Sequence, residues 1–155
     1  MTSWLVLTDL ARAREFSRAG SIRTSGGRRA MLQLPQAGDQ VYLYVCRTDR
    51  KSQTTLDLIT HRGTFPDKSV SLNSYDRHAP LAVRDVEFDP HFHPLFTASK
   101  AVSISSGQKW GIVMLRGMTS ISETDAKCID DHAEVFPNIE KGYSRELQTY
   151  DLCLL

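Results

Sequence analysis

The chain has 155 residues, 41% of them hydrophobic and 24% charged, with a formal net charge of +1. That describes one ordinary globular domain with enough chain for a single core. No window approaches the ~18 apolar residues of a membrane span, and the N-terminus lacks a basic-then-apolar signal sequence, so no membrane partner is expected. Cys46, Cys128 and Cys153 are odd in number and far apart. This argues against a disulfide framework or a cysteine-rich zinc site and makes a reducing cytoplasm the expected compartment.

Trp4-Leu5-Val6-Leu7 is a short apolar run that suits a buried strand. Asp9 stands where a helix N-cap would, and Ala11 to Arg18 reads as a helix with Leu10, Ala13 and Phe16 on one side, ended by Gly20-Ser21. Ser21 to Arg29 is polar, basic and glycine-bearing and reads as a loop, with an extended piece at Ser21-Ile22-Arg23. After the turn residues Pro35 to Asp39, the β-branched and aromatic run Val41 to Cys46 predicts a central strand. Thr55 to Phe65 predicts the next strand, broken at Gly63, and Pro80 to Phe88 contains another. Pro94 to Ile104 reads as a short helix and Gly111 to Leu115 as a strand. Ser122 opens a helix that Pro137 stops at about Phe136. A parallel strand–helix–strand series would need longer crossovers, so the pattern predicts an α+β fold with a small, curved, barrel-like mixed sheet.

The charges are unevenly placed. Residues 1–51 carry nine Lys and Arg against four Asp and Glu, whereas residues 122–155 carry three against eight. A polyanion could bind one end while the other repels it, or the two ends could neutralise each other in the fold.

Motifs with a catalytic mechanism are missing: there is no P-loop, Gly-x-Gly-x-x-Gly, nucleophile elbow or His-Glu-x-x-His, so no enzyme is expected. Asp89-Pro90-His91-Phe92-His93 is a candidate metal cluster, but a third and fourth ligand are not evident. His61 and Asp57 could form an acid–base pair and also fit ordinary strand positions. Cys46 reads as a small buried hydrophobe. What remains is aromatics beside bases: Trp4, Tyr42, Tyr44, Phe88 and Trp110 among Arg23, Arg28, Arg29, Arg47, Arg50, Lys51, Lys109 and Arg116. Such bases neutralise phosphates and such aromatics can stack an unpaired base, although the aromatics read first as core residues.

Gly38-Asp39-x-Val41-x-x-Tyr44, Lys109-Trp110-Gly111, Arg116-Gly117 and Ile121-Ser122-Glu123-x-Asp125 together resemble the EVE domain family. That family belongs to the PUA-like superfamily, related to YTH and ASCH domains. The match runs in order from residue 2 to about 136, which sets an expected domain of residues 1–136. Residues 137–155 would then be a C-terminal tail, a docked helix or a linker. The resemblance implies a PUA-like, barrel-like β-sheet flanked by short helices, with a pocket for a flipped modified base. Carried over, Thr8 and Asp9 would meet the base edge. Ile22, Arg23 and Ser25 fall where one cage wall would be, and no aromatic stands there. Phe88, Tyr44 and Trp110 are candidates for the other wall. Arg28, Arg29, Arg47, Arg50, Lys51, Lys109 and Arg116 would hold the nucleic-acid backbone.

The expected function is therefore a non-catalytic reader of 5-methyl- or 5-hydroxymethylcytosine in DNA. No cofactor or metal is expected, and the partners would be nucleic acid and a nuclease of a modification-dependent restriction system. The alternatives are an RNA-binding or N6-methyladenine-reading module and a small-molecule-binding domain.

Overall fold

Trp4 to Leu7 lie within β1 (Ser3–Thr8), a strand buried on both faces as its unbroken apolar run requires. The computed structural model describes residues 1–25, 28–49, 51, 55–73, 81–96, 98 and 117–135, with backbone alone at 25, 55, 73, 96, 134 and 135. β1 pairs in parallel with β3 (Gln40–Arg47), and β3 pairs antiparallel with β4 (Thr55–Thr64). β9 (Met118–Ile121) lies antiparallel on the other side of β1. The outer edge of β4 carries two short strands, β7 (Glu87–Phe88) and β8 (Leu95–Phe96). Six strands thus make one mixed sheet, in the order β7-β4-β3-β1-β9 with β8 beside β4. A second sheet has the order β2 (Ser21–Ser25), β6 (Leu81–Asp85), β5 (Val70–Asn73). The α+β class and the mixed sheet are as the sequence predicted, but among the described residues the strands form two sheets that do not close on each other.

α1 (Leu10–Ala19) follows β1 as predicted. The Asp9 carboxylate accepts the Arg12 N–H at 2.8 Å, Leu10, Ala13 and Phe16 are buried, and Gly20 ends the helix with a left-handed φ of 64°. α2 (Arg29–Gln33) is one short turn with Leu32 buried. α3 (Glu123–Val135) starts where Ser122 Oγ accepts the Asp125 N–H at 3.1 Å.

The large sheet separates two apolar layers. Val6, Val41, Leu43, Val45 and Leu58 face α1 and the small sheet, meeting Leu10, Phe16, Ile22 and Ala82. Leu5, Tyr42, Tyr44 and Ile59 face the other way, toward Ile129 of α3 and Leu95. Each fully buried Leu, Ile or Phe in these layers stabilises the fold by roughly 1.5–3 kcal/mol.

Several local expectations are corrected. Within the loop predicted over Ser21 to Arg29, the expected extended piece at Ser21-Ile22-Arg23 is borne out but runs on to Ser25 as β2, which pairs with β6, and α2 begins at Arg29. The single strand predicted before Phe88 splits at Val86. Its first half joins the small sheet and its second half the large one, with the Val86 N–H on Gly20 O at 2.9 Å fixing the crossing. β4 is not broken at Gly63, which pairs with both Val41 and Phe88. Glycine is needed there because a Cβ would run into Val86 Cγ1 and stand 3.0 Å from Glu87 O. Leu95–Phe96, predicted helical, is a strand on β4. β5 and β9 were not anticipated. The strand predicted at Gly111 to Leu115 and the tail 137–155 lie outside the described residues.

Two buried polar hubs hold the layers. The Arg84 guanidinium is fully buried, stacks 4.4 Å over the Phe65 ring, and donates to the carbonyls of Leu32, Pro35 and Asp67 at 2.6–2.7 Å. Asp39 accepts from the Thr2 and Gln36 N–H groups and from Trp4 Nε1 at 2.8–3.0 Å. Burial pushes the Asp39 carboxyl up, but these donors hold it below the ordinary carboxylate value.

Candidate nucleic-acid interface

The end of β1 is where polar groups and bases converge. β1 and β3 run parallel, so their C-terminal ends lie side by side, with Thr8 opposite Val45. The chain turns into α1 there, and the Ala11 N–H reaches back to Thr48 O at 3.1 Å. Gly117 closes the other side, its carbonyl accepting the Leu7 N–H at 2.8 Å. Around this end stand Arg12 in the first turn of α1, Arg28 ahead of α2 and Arg47 at the end of β3, all exposed.

Thr8 ends β1 and is 8% exposed. Its Oγ1 is buried and has no hydrogen-bond partner among the described residues. A buried hydroxyl left without any partner costs ~1–3 kcal/mol, so this one calls for an ordered water, a ligand atom or local strain to account for it. Asp9 is 5% exposed and spends Oδ1 on the helix cap. The Cys46 thiol reaches the Thr8 carbonyl at 3.8 Å from the opposite face of the sheet. Burial pushes that thiol up, which removes it as a nucleophile at neutral pH.

The predicted pocket residues do not all meet here. Tyr44 pairs with Leu7, not Thr8, so its side chain projects to the α3 side with the sheet between it and Thr8. It is 4% exposed, and its hydroxyl donates to Asp57 Oδ1 at 2.7 Å. Phe88 belongs to the row Trp4–Val41–Gly63–Phe88, four residues along and three strands across from Thr8. At ~3.3 Å per residue and ~4.8 Å per strand, about 19 Å separates the two positions. Phe88 instead meets the His61 ring edge-on, with centroids 5.7 Å apart. Ile22 is 2% exposed and packs in the core with Leu10, Phe16 and Ala82. Arg23, on the other face of β2, is exposed, as are Arg29 and Lys51. Ser25 is described by its backbone in β2, and Trp110, Lys109, Arg116 and Arg50 lie outside the described residues.

Asp57 and His61 are not an acid–base pair. A register shift between Leu43 and Tyr44 sets Ile59 opposite Tyr44 and His61 opposite Leu43, so the two side chains leave opposite faces. His61 accepts or donates a bond to Thr60 Oγ1 through Nδ1 at 2.8 Å, and burial lowers its pKa to about 4. Asp89 is likewise no free ligand: Arg62 and the His91 N–H occupy it. Arg62 also donates to Asp130 of α3 at 2.9 Å, and Tyr42 donates to the same oxygen at 2.9 Å. With Phe92, 5.3 Å below the guanidinium, this network ties α3 to the sheet. A cavity of about 40 Å³ lies beside it, lined by Arg62, His91, Phe92, His93, Asp130 and Ala133. That holds a few waters at ~10–15 Å³ each, far less than a base.

Sequence reasoning missed Arg12 and Gly117. The available signal for Arg12 was its position: a cation in the first turn of a helix opposes the helix dipole by ~0.3–1 kcal/mol. No acidic residue offsets it in that turn.

No protein-family model and no curated protein sequence matches the chain. Solved structures do. The Rpa0253 protein of Rhodopseudomonas palustris is similar at 12% identity and a TM-score of 0.56, over 87% of this chain and 94% of that one. A protein of Pseudomonas putida is similar at 12% identity and a TM-score of 0.52, over 82% and 96%. The chain has their fold. Human THYN1, solved in complex with DNA containing 5-methylcytosine, is similar at 11% identity over 84% of this chain and 96% of that one. Its TM-score of 0.47 is too low to bear on what this chain binds. No helix among the described residues is long and apolar enough to cross a membrane.

Proposed function

We propose that this chain binds DNA and reads a modified base, 5-methyl- or 5-hydroxymethylcytosine, at the end of β1 without catalysing a reaction. The observation that carries the reading is the buried Thr8 hydroxyl, unpartnered among the described residues, at a strand end followed by Arg12 in α1, paired with the strand that ends at Arg47, and bonded to Gly117 against which Arg28 lies. A base extruded from the stack presents donors and acceptors on its edge, and one of them would complete Thr8. The surrounding guanidinium groups would neutralise phosphates and make binding steeply salt-dependent. The choice of a cytosine derivative over N6-methyladenine is supported by the cage position. Ile22 is core and Arg23 points outward, so β2 supplies no aromatic wall. The pairing with a nuclease in a modification-dependent restriction system comes from the family resemblance alone.

The test is a titration of matched duplexes carrying cytosine, 5-methylcytosine or 5-hydroxymethylcytosine at two salt concentrations. The expected result is a preference for one modified duplex that survives the higher salt. Equal affinities with a steep salt slope would reduce the chain to a nonspecific polyanion binder. A preference for structured RNA, dependent on the 2′-hydroxyl, would point to the RNA-binding alternative.

A further inference from the structure

Arg28 lies against a residue far away in sequence. A Cβ built on Gly117 would stand 3.1 Å from Arg28 Nη1 and 3.8 Å from Met31 Sδ, so the guanidinium lies directly against the glycine. Gly117 is itself fixed to the end of β1 by the Leu7 N–H bond at 2.8 Å. Arg28 is exposed, and its side chain has no acceptor among the described residues. The Thr8 hydroxyl, one residue past that bond, is more than nine-tenths buried and has no partner among them either. The strand end therefore offers a planar cation without an acceptor against Gly117, and a buried hydroxyl without a partner one residue past the Gly117–Leu7 bond.

We infer that the Arg28 guanidinium takes the phosphate of the same nucleotide whose base edge meets Thr8, and that Gly117 is the positioning residue that seats it there. This rests on the reading of the β1 end as a base site and adds that the smallest complete ligand is a nucleoside monophosphate. A guanidinium fork matches phosphate oxygens two at a time, which a lysine ammonium does not. Gly117 has a φ of 76°, which favours glycine on backbone grounds. The close approach of Arg28 is a second and separate reason, because a Cβ 3.1 Å from Nη1 would push the guanidinium back by a few tenths of an ångström.

Calorimetric titration separates these roles. The probes are 5-methyl-2′-deoxycytidine, its 5′-monophosphate, unmodified deoxycytidine 5′-monophosphate and the methylated duplex. In the wild type the methylated monophosphate should bind at least about tenfold more tightly than the nucleoside. Arg28→Ala should erase that difference, and Arg28→Lys should restore only part of it. Gly117→Ala should weaken monophosphate binding in the wild-type background and leave it unchanged in the Arg28→Ala background. An equal loss in both backgrounds would show that Gly117 serves only the backbone, and that half of the inference would fall. Equal affinity for nucleoside and monophosphate overturns the phosphate assignment, as does duplex binding with neither small ligand bound. If the unmodified monophosphate binds as well as the methylated one, the phosphate assignment stands and the modified-base reading fails.

Discussion

Thr8→Val should make the protein more stable and less discriminating at once. The substitution keeps the β-branched shape and replaces the hydroxyl with a methyl. In most folded proteins this change is destabilising, because a buried threonine hydroxyl is usually bonded. Here Oγ1 is buried without a partner among the described residues, and the residue is 8% exposed. Removing an unsatisfied buried hydroxyl recovers ~1–3 kcal/mol of desolvation cost, of which cavity mismatch will take part. A net gain of ~1–2 kcal/mol should raise the melting temperature by roughly 3–6 °C in a domain of this size. In the complex the same change deletes one hydrogen bond, so preference for the modified duplex should fall about two- to tenfold. Urea unfolding gives the first quantity and the paired duplex titration the second. A Thr8→Val protein less stable than wild type would refute the reasoning, since its hydroxyl would then be bonded inside the folded chain and not waiting for a ligand.

Acid should destabilise the fold through His61, whose folded pKa of about 4 lies below the ordinary histidine value of 6.5. A lowered histidine contributes stability that is intact above pH ~6.5 and lost as pH falls toward 4, by up to about 3 kcal/mol. His61→Leu should flatten the stability curve across that window, and an unchanged slope would exonerate His61. Gly63→Ala should cost ~1–3 kcal/mol, because the new Cβ meets Val86, the Glu87 carbonyl and the Phe88 ring. Val86→Ala should recover only part of that loss, since the Glu87 carbonyl is backbone. A neutral Gly63→Ala in urea unfolding would mean that β7 can move off β4.

What the sequence made legible was local. Asp9, Leu10, Ala13, Phe16 and Gly20 announce α1 completely, because cap, apolar spacing and left-handed stop all lie within twelve residues. Val41 to Cys46 and Ser122 with Asp125 were equally plain. Elements defined by a partner were not. β5 and β8 are short and gain their strand character from β6 and β4, and the sequence before Phe88 carries no mark of a change of sheet at Val86. The Gly38-Asp39 turn, part of the family resemblance, does structural work here. Asp39 gathers the N-terminus, Trp4 and the turn, and this removes the Trp4 indole N–H from any ligand.

The site failed to show in sequence for a different reason. Choosing among Tyr44, Phe88 and Ile22 needed strand order and strand parity, and neither is written in residue types. Parity sends Tyr44 to the wrong face, order puts Phe88 about 19 Å off, and the β2–β6 pairing turns Ile22 into the core. Arg12 is the informative exception. It occupies the first turn of a well-capped helix, where an acidic residue would serve stability and a cation opposes the dipole. A local rule broken beside a buried unpartnered hydroxyl is the pattern expected where binding outweighs stability. If that is why Arg12 is there, Arg12→Glu should stabilise the free protein slightly while weakening DNA binding. A plain surface arginine would show the first effect without the second.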